Sequence, residues 1–374
     1  MEKLMTNEPK ENRVSYGKVA NMVEPMQLEF REFQLPEPGA NSILVKVLRT
    51  NVCGSELHIW KGHHPTKKTG VLGHEMVGVI EKLGPELETD FAGQAIKTGD
   101  RIAACYFRSC LKCNSCLRGD FNNCEHGIEF WNKTPEEFPH FHGSFASHYY
   151  IHPNQYFYKV PDNIPDVVAA SANCALSQVY YGLDQGELAC GETLVIQGAG
   201  GLGLNAAAVA KERGATVIVI DAVESRLEAA KQFGADHVIN MKDYPSVEER
   251  AEVVRSLTNG QGADMALEVS GVPAAFGEGL HHIRNNGRYV TMGNISPGTT
   301  IEFDPGFLTR KSIRIIPVLR YKPWYLKKAL TFLSKYVDKY PFDKMIDCEI
   351  PFENIKEALD KSANREVTRA SITI

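Results

Sequence analysis

The sequence predicts an α/β protein in which a doubly wound parallel sheet is joined to a β-rich, mostly antiparallel part. Three observations predict this. From about residue 175 to 320, short apolar runs alternate with runs of helical spacing, the pattern of parallel strands joined by crossover helices. From about 14 to 161, runs of alternating sidedness are punctuated by glycines, as in antiparallel strands. At 374 residues the chain also exceeds the roughly 250–300 at which one hydrophobic core stops growing, so it should divide.

In the first part, Asn41-Ser-Ile-Leu-Val-Lys-Val-Leu-Arg-Thr reads as a strand, and Gly78-Val-Ile-Glu-Lys-Leu-Gly84 and Gly99-Asp-Arg-Ile-Ala-Ala as short further ones. In the second part the candidate strands are 194–197, 217–221, 237–240, 265–269, 289–292 and 313–318, with helical runs such as 202–213 and 247–257 between them. The runs 324–336 and 352–361 do not extend that alternation, so the C-terminal stretch is expected to return to the first part. The division follows as 1–174, 175–320 and 321–374. Only the first dozen residues look disordered.

The strand-to-helix junction that organises the parallel part is Thr193-Leu-Val-Ile-Gln-Gly198-Ala-Gly200-Gly201-Leu202-Gly203, followed by a second buried run ending in Asp221. Gly198 permits a sharp turn, Gly200 lets backbone approach a pyrophosphate, and Gly203 lets the helix lie close to its strand. The helix N-terminus then presents free N–H groups and a positive dipole end to phosphates. Asp221 stands about 20 residues on, the spacing for a carboxylate that binds a ribose 2′-hydroxyl.

With 43% hydrophobic and 23% charged residues the chain has material for real cores. A net charge of −5 without a basic run argues against nucleic acid or an anionic membrane as partner. No apolar run approaches the roughly 20 residues of a membrane span, and the N-terminus lacks a signal peptide's apolar region, so the cytoplasm is the expected compartment.

Five of the nine cysteines crowd between Cys105 and Cys124, which in a reducing compartment points to metal rather than disulfides. Cys110, Cys113, Cys116 and Cys124 have the spacing at which four thiolates converge tetrahedrally on zinc and leave no position for water, the mark of a structural site. Cys105, Cys190 and Cys348 are expected to be structural residues. A second set of donors is dispersed: Cys53-Gly-Ser55-Glu-Leu-His58, Gly73-His74-Glu75 and Asn173-Cys174. Two thiolates and one imidazole would leave the fourth tetrahedral position open, as catalytic zinc requires.

In this order and spacing, these motifs together with the glycine turn resemble the zinc-dependent medium-chain alcohol dehydrogenases, from about residue 14 to the C-terminus. The resemblance implies a GroES-like catalytic domain built from both chain ends, a Rossmann domain between them, and an active site in the cleft. It implies that Cys53, His74 and Cys174 hold catalytic zinc, with Glu75 as the neighbouring glutamate that enters the coordination sphere in some members. Zinc as a Lewis acid acidifies an alcohol, so that hydride can leave to the nicotinamide. Ser55 resembles the hydroxyl that relays the proton, and His58 the histidine at the far end of the relay. Arg369 resembles the near-terminal arginine that neutralises the pyrophosphate, a task it would share with the glycine turn because Gly54 replaces a basic residue. Gln178 stands where many members carry Thr, and Tyr106 where the substrate pocket has an aromatic wall. The segment 130–142 reads as a long surface loop whose aromatics either line the pocket mouth or pack on the catalytic domain.

The expected function is therefore a zinc-dependent oxidoreductase moving hydride between an alcohol (or its aldehyde or ketone) and NAD, with two zinc ions per chain, one catalytic and one structural. The alternative is a non-catalytic dinucleotide-binding protein on the same fold. Asp221 favours NAD, because a 2′-phosphate would meet its charge; Arg226, on the following helix, tempers that choice. The partner is a small molecule, and a homodimer or homotetramer is expected.

Overall fold

The computed structural model describes residues 14–63, 69–294 and 297–374; the N-terminal dozen and His64 lie outside the described residues. The β-rich part contains β1 (Tyr16–Glu24), β2 (Gln27–Gln34), β3 (Ile43–Asn51), β4 (Gly70–Val71), β5 (Glu75–Leu83), β6 (Arg101–Ala104), β7 (His148–Ile151) and β8 (Phe157–Lys159). The second part contributes β9 (Thr193–Gln197), β10 (Thr216–Asp221), β11 (His237–Asn240), β12 (Ala263–Glu268), β13 (Ile283–Thr291) and β14 (Arg314–Pro317), and the C-terminal stretch β15 (Cys348–Pro351) and β16 (Ala370–Thr373).

Strands β9 to β14 form a six-stranded parallel sheet in the order β11-β10-β9-β12-β13-β14. Its order reverses between β9 and β12, which places a crevice at the carboxyl ends of those two strands. Both faces are covered, so β9 and β10 are buried along nearly their whole length and read as unbroken apolar runs. Helix Gly201–Glu212 lies on one face; buried Ala206, Ala207, Ala208 and Ala210 keep it close to the sheet.

In the other part β3 is the hub, pairing antiparallel with β5, β7 and β16. Because β16 adds to β3 and β15 pairs with β16, the last residues of the chain complete a sheet begun by the first fifty. Helix Tyr325–Tyr336 packs on helix Ser177–Gln185, with Tyr325 and Tyr181 edge-to-face at 5.0 Å. Among the described residues no helix is long and apolar enough to cross a membrane.

Several local expectations needed correction. Strand β13 begins at Ile283, six residues before the apolar run at 289–292, because helix Pro273–His282 runs into it through polar residues that carry no alternation. The run 352–361 begins as a 3₁₀ turn at Phe352–Asn354 and continues as helix Ile355–Ala363. The segment 130–142 is only partly surface: Phe138 is exposed, but Phe130 packs with Ile43, Val45 and Ile151, and Phe141 with Val19 and Leu44. Those rings gain more from burial than a solvated loop would. Cys190 is exposed at a turn, its sulfur against Gly214, so it packs no core; Cys105 is fully buried.

Candidate active site

Cys53 is the N-cap of helix Gly54–Trp60 and lies at the end of β3. His74 and Glu75 lie where the chain enters β5, whose residue Glu75 is in register with Asn51. Cys174 sits in a π-helical turn, Ala172–Leu176, a form that widens a helix and is frequent at functional sites. Asn173 ties these segments together: its buried amide donates to the carbonyls of His74 and Ala104, each at 2.7 Å, while the Tyr321 hydroxyl donates to the Asn173 carbonyl.

Cys53, His74, Glu75 and Cys174 thereby bring one ligand atom each within 4.8 Å of one another. The sulfurs of Cys53 and Cys174 are 3.7 Å apart, and His74 Nε2 is 3.4 Å from Cys174 Sγ. Tetrahedral zinc, with Zn–S near 2.3 Å and Zn–N near 2.0–2.1 Å, requires about 3.8 and about 3.6 Å, so this donor set fits the ion.

Glu56 was not foreseen as a site residue. Its side chain is wholly buried; Oε2 accepts from the Cys53 amide at 2.8 Å and Oε1 lies 2.9 Å from His74 Nδ1. One carboxylate thus caps the helix and turns His74 Nε2 toward the two thiols. The x-x-Glu spacing after the N-cap is a capping-box signal visible in the sequence, but its second partner is not.

The proton balance reflects four ionisable groups crowded without solvent. Burial opposes a charged imidazole, yet the Glu56 carboxylate and the Cys53 thiolate raise His74 well above its usual range. The hydrogen bond from Cys174 lowers Cys53 well below the usual thiol range against the effect of burial, and the same bond raises Cys174. Burial pushes Glu75 up to about 8, although the Arg369 guanidinium opposes it. Metal binding would displace protons from such a set.

Arg369 is buried in contact with the Glu75 carboxylate, and its Nη1 would lie 2.9 Å from a Cβ placed on Gly201. One guanidinium therefore spans from the thiol–imidazole cluster to the glycine turn. At that turn Gly198 has φ +105°, and a Cβ there would come within 2.9 Å of Ser270 Cα. A Cβ on Gly203 would lie 1.9 Å from the Gly198 carbonyl oxygen, so this helix can approach its strand only with glycine. Gly200 faces open space and Leu202 is half-buried in the first turn of the helix. Asp221 closes β10, with its carboxylate accepting from the amides of Ala199 and Val223 at 2.8 and 2.9 Å. Arg226 is exposed in the first turn of helix Glu224–Gln232.

Glu268, which the sequence did not single out, is fully buried at the carboxyl end of β12. It accepts from the Ser270 and Gly271 amides at 2.9 Å and from the Gly293 amide at 3.2 Å, pinning the loops after β12 and β13.

Ser55 donates its hydroxyl to Cys53 Sγ at 3.5 Å, and His58 is exposed three residues along the same helix face. Two aromatic rings stand beside His74: Tyr106, with centroids 4.8 Å apart, and Trp131, edge-on at 6.3 Å. Gln178 lies in the first turn of helix Ser177–Gln185, and Gly54 is exposed.

The sulfurs of Cys110, Cys113, Cys116 and Cys124 also converge within 4.8 Å, with Cys110–Cys116 and Cys113–Cys124 at 4.0 Å. Disulfides would require about 2.05 Å, and tetrahedral zinc about 3.8 Å. The Cys110 and Cys113 amides point at Cys124 Sγ (3.2 Å) and Cys110 Sγ (3.3 Å), and such donors stabilise thiolates.

Comparison with known proteins agrees with this geometry. Residues 201–335 match the family model described as zinc-binding dehydrogenase, and 39–162 the alcohol dehydrogenase GroES-like domain. The chain is 32% identical over 350 residues to a 5-exo-hydroxycamphor dehydrogenase of Pseudomonas putida, covering 93% of this chain and 96% of that one. It is 32% identical over 303 residues to a sorbitol dehydrogenase of Halalkalibacterium halodurans, covering 80% and 82%. Among solved structures, an alcohol dehydrogenase of Thermotoga maritima superposes with a TM-score of 0.90 at 30% identity, covering 96% of this chain and 99% of that one.

Proposed function

From the premise that this chain belongs to the zinc-type medium-chain alcohol dehydrogenases and is an oxidoreductase, we propose the finer assignment: an NAD-dependent enzyme acting on an alcohol with a bulky apolar body. The observation that carries the hydride-transfer core of this reading is the placement of Arg369, in contact with Glu75 of the cysteine–histidine cluster and against Gly201 of the glycine turn, while Asp221 supports NAD and the Tyr106 and Trp131 rings the apolar substrate. A metal-ligand set and a dinucleotide turn within reach of one side chain have the arrangement hydride transfer needs.

In this reading Cys53, His74 and Cys174 hold catalytic zinc, Cys110, Cys113, Cys116 and Cys124 hold a second zinc, and the division of the chain is 1–174, 175–320 and 321–374. Zinc held there would supply Lewis acidity at an alcohol oxygen, and bound NAD would supply a hydride acceptor. The chain does the rest. Ser55 Oγ would accept the hydroxyl proton as it passes its own to the ribose of a bound nicotinamide, and His58, exposed on the same helical face, would take the proton from that ribose and release it to water. Arg369 stabilises the pyrophosphate while keeping the Glu75 carboxylate aligned beside the ligands. Asp221, held by the Ala199 and Val223 amides, accepts from the adenosine ribose and rejects a 2′-phosphate. Tyr106 and Trp131 wall the space beside His74 with apolar ring surface, which favours a cyclic or aromatic alcohol over a free polyol. A cytoplasmic homodimer or homotetramer completes the proposal.

The test is zinc content together with initial rates on cyclic, aromatic and linear alcohols and on polyols, following reduced nicotinamide. Two zinc ions per chain and a higher kcat/KM for cyclic or aromatic alcohols are expected. A higher kcat/KM for sorbitol would overturn the substrate assignment, and one zinc per chain would overturn the two-site assignment.

A further inference from the structure

The four-cysteine lobe does more than tie its own loop. Asn122, within the lobe and 5% exposed, donates its side-chain amide to the Leu319 carbonyl at 3.0 Å, and Arg320 Nη1 donates back to the Asn122 carbonyl at 3.1 Å. Arg320 holds a left-handed backbone, φ +56°, and its guanidinium lies 5.8 Å over the Phe107 ring. Phe121 of the lobe meets Trp324 edge-on at 6.0 Å. These contacts fall on the segment that leaves β14, the edge strand of the parallel sheet, which among the described residues pairs only with β13. A strand end anchored on one side gains a second anchor from the lobe.

That segment borders a cavity of about 600 Å³, walled by Asn122 and Asn123 of the lobe and by Met292, Asn294 and Val318 at the carboxyl ends of β13 and β14. In a doubly wound sheet a dinucleotide lies across the carboxyl ends, with one half over each side of the switch point. The glycine turn and Asp221 occupy the β9–β10 side, which leaves the β12–β14 side for the nicotinamide half.

We propose that the four-cysteine lobe is a positioning element of the cofactor site, fixing the nicotinamide-side wall through the Asn122–Leu319 and Arg320–Asn122 hydrogen bonds. The inference rests on the dinucleotide reading above. It assigns Asn122 a role in cofactor affinity that is separate from its lobe's contribution to stability.

The experiment compares the purified, zinc-replete parent with Asn122→Ala and Asn122→Asp. For each, the dissociation constant of the reduced dinucleotide that the parent prefers is measured by fluorescence, and that of the matching nicotinamide-free ligand, ADP-ribose or its 2′-phosphate, by calorimetry. Zinc content and Tm are read alongside. Both variants should keep parental zinc and ADP-ribose affinity while binding the reduced dinucleotide about tenfold more weakly. Asn122→Asp keeps the side chain's size but sets an acceptor against the Leu319 carbonyl, so it should rescue nothing. An unchanged dinucleotide constant overturns the proposal, whatever happens to Tm. Equal weakening of both ligands overturns it too, because the damage would then be general. A parent that binds no dinucleotide sinks the functional reading and this inference with it, whereas a binding parent with normal variants sinks the inference alone.

Discussion

Replacing Glu56 by Gln should uncouple zinc retention from folding at the catalytic cluster. Both oxygens of this buried carboxylate serve as acceptors, one from the Cys53 amide at 2.8 Å and one facing His74 Nδ1 at 2.9 Å. Gln fills the same volume but offers one acceptor and one donor group, so whichever way it turns, one contact is lost. Hydrogen bonds to a charged group contribute about 1.5–3 kcal/mol, and loss of a partner that orients a metal-bound histidine typically lowers metal affinity about 10–100-fold, or about 1.4–2.7 kcal/mol. The two ranges agree, so zinc should bind the Cys53–His74–Cys174 site one to two orders of magnitude more weakly. The assay is competition with a chromogenic chelator, which resolves two classes of zinc per chain in the parent. Only the weaker-held class should shift in Glu56→Gln, with kcat falling as that zinc is lost and recovering when zinc is added in excess. If both classes keep parental affinity, Glu56 does not orient His74 and the reasoning fails.

Three further outcomes are expected. The parent should prefer NAD over NADP in kcat/KM by at least about tenfold, roughly 1.4 kcal/mol; Asp221→Gly should lose most of that preference and also some Tm, since the Ala199 and Val223 amides lose their acceptor. A parent that prefers NADP refutes the role given to this carboxylate. Cys113→Ala should lose one zinc per chain and lower soluble yield and Tm, because metal binding at such a lobe is part of its folding free energy; unchanged zinc and Tm would count against the assignment. Against the effect of burial, the hydrogen bond with His282 and the Arg250 guanidinium, bidentate on Glu278 at 2.7 and 2.8 Å, hold the Glu278 carboxyl down at about 2. Its folded value lies below the usual 4.5, so its contribution to stability is full above about pH 4.5 and is lost as pH falls toward 2. Denaturant titrations from pH 7 to pH 2.5 should therefore show a shallower acid loss in Glu278→Gln, which starts from lower stability at pH 7; parallel curves would contradict this.

What the sequence determined by itself is local. Four cysteines within fifteen positions are close enough in sequence to converge on one ion, and Gly198 and Gly203 are legible because each permits a close approach that a Cβ would block. Parallel strands buried on both faces announce themselves as apolar runs; β13, in which polar Arg284, Asn285 and Asn286 follow buried Ile283, did not. Periodicity says which side of an element is buried but not what it is buried against. Tertiary structure alone decided that Glu75 meets Arg369, 294 residues away, that Glu56 reaches both Cys53 and His74, and that Asn122 of the lobe holds the end of β14. It also drew Phe130 and Phe141 out of an apparent surface loop, because aromatic rings bury wherever neighbouring strands leave an apolar face open to receive them.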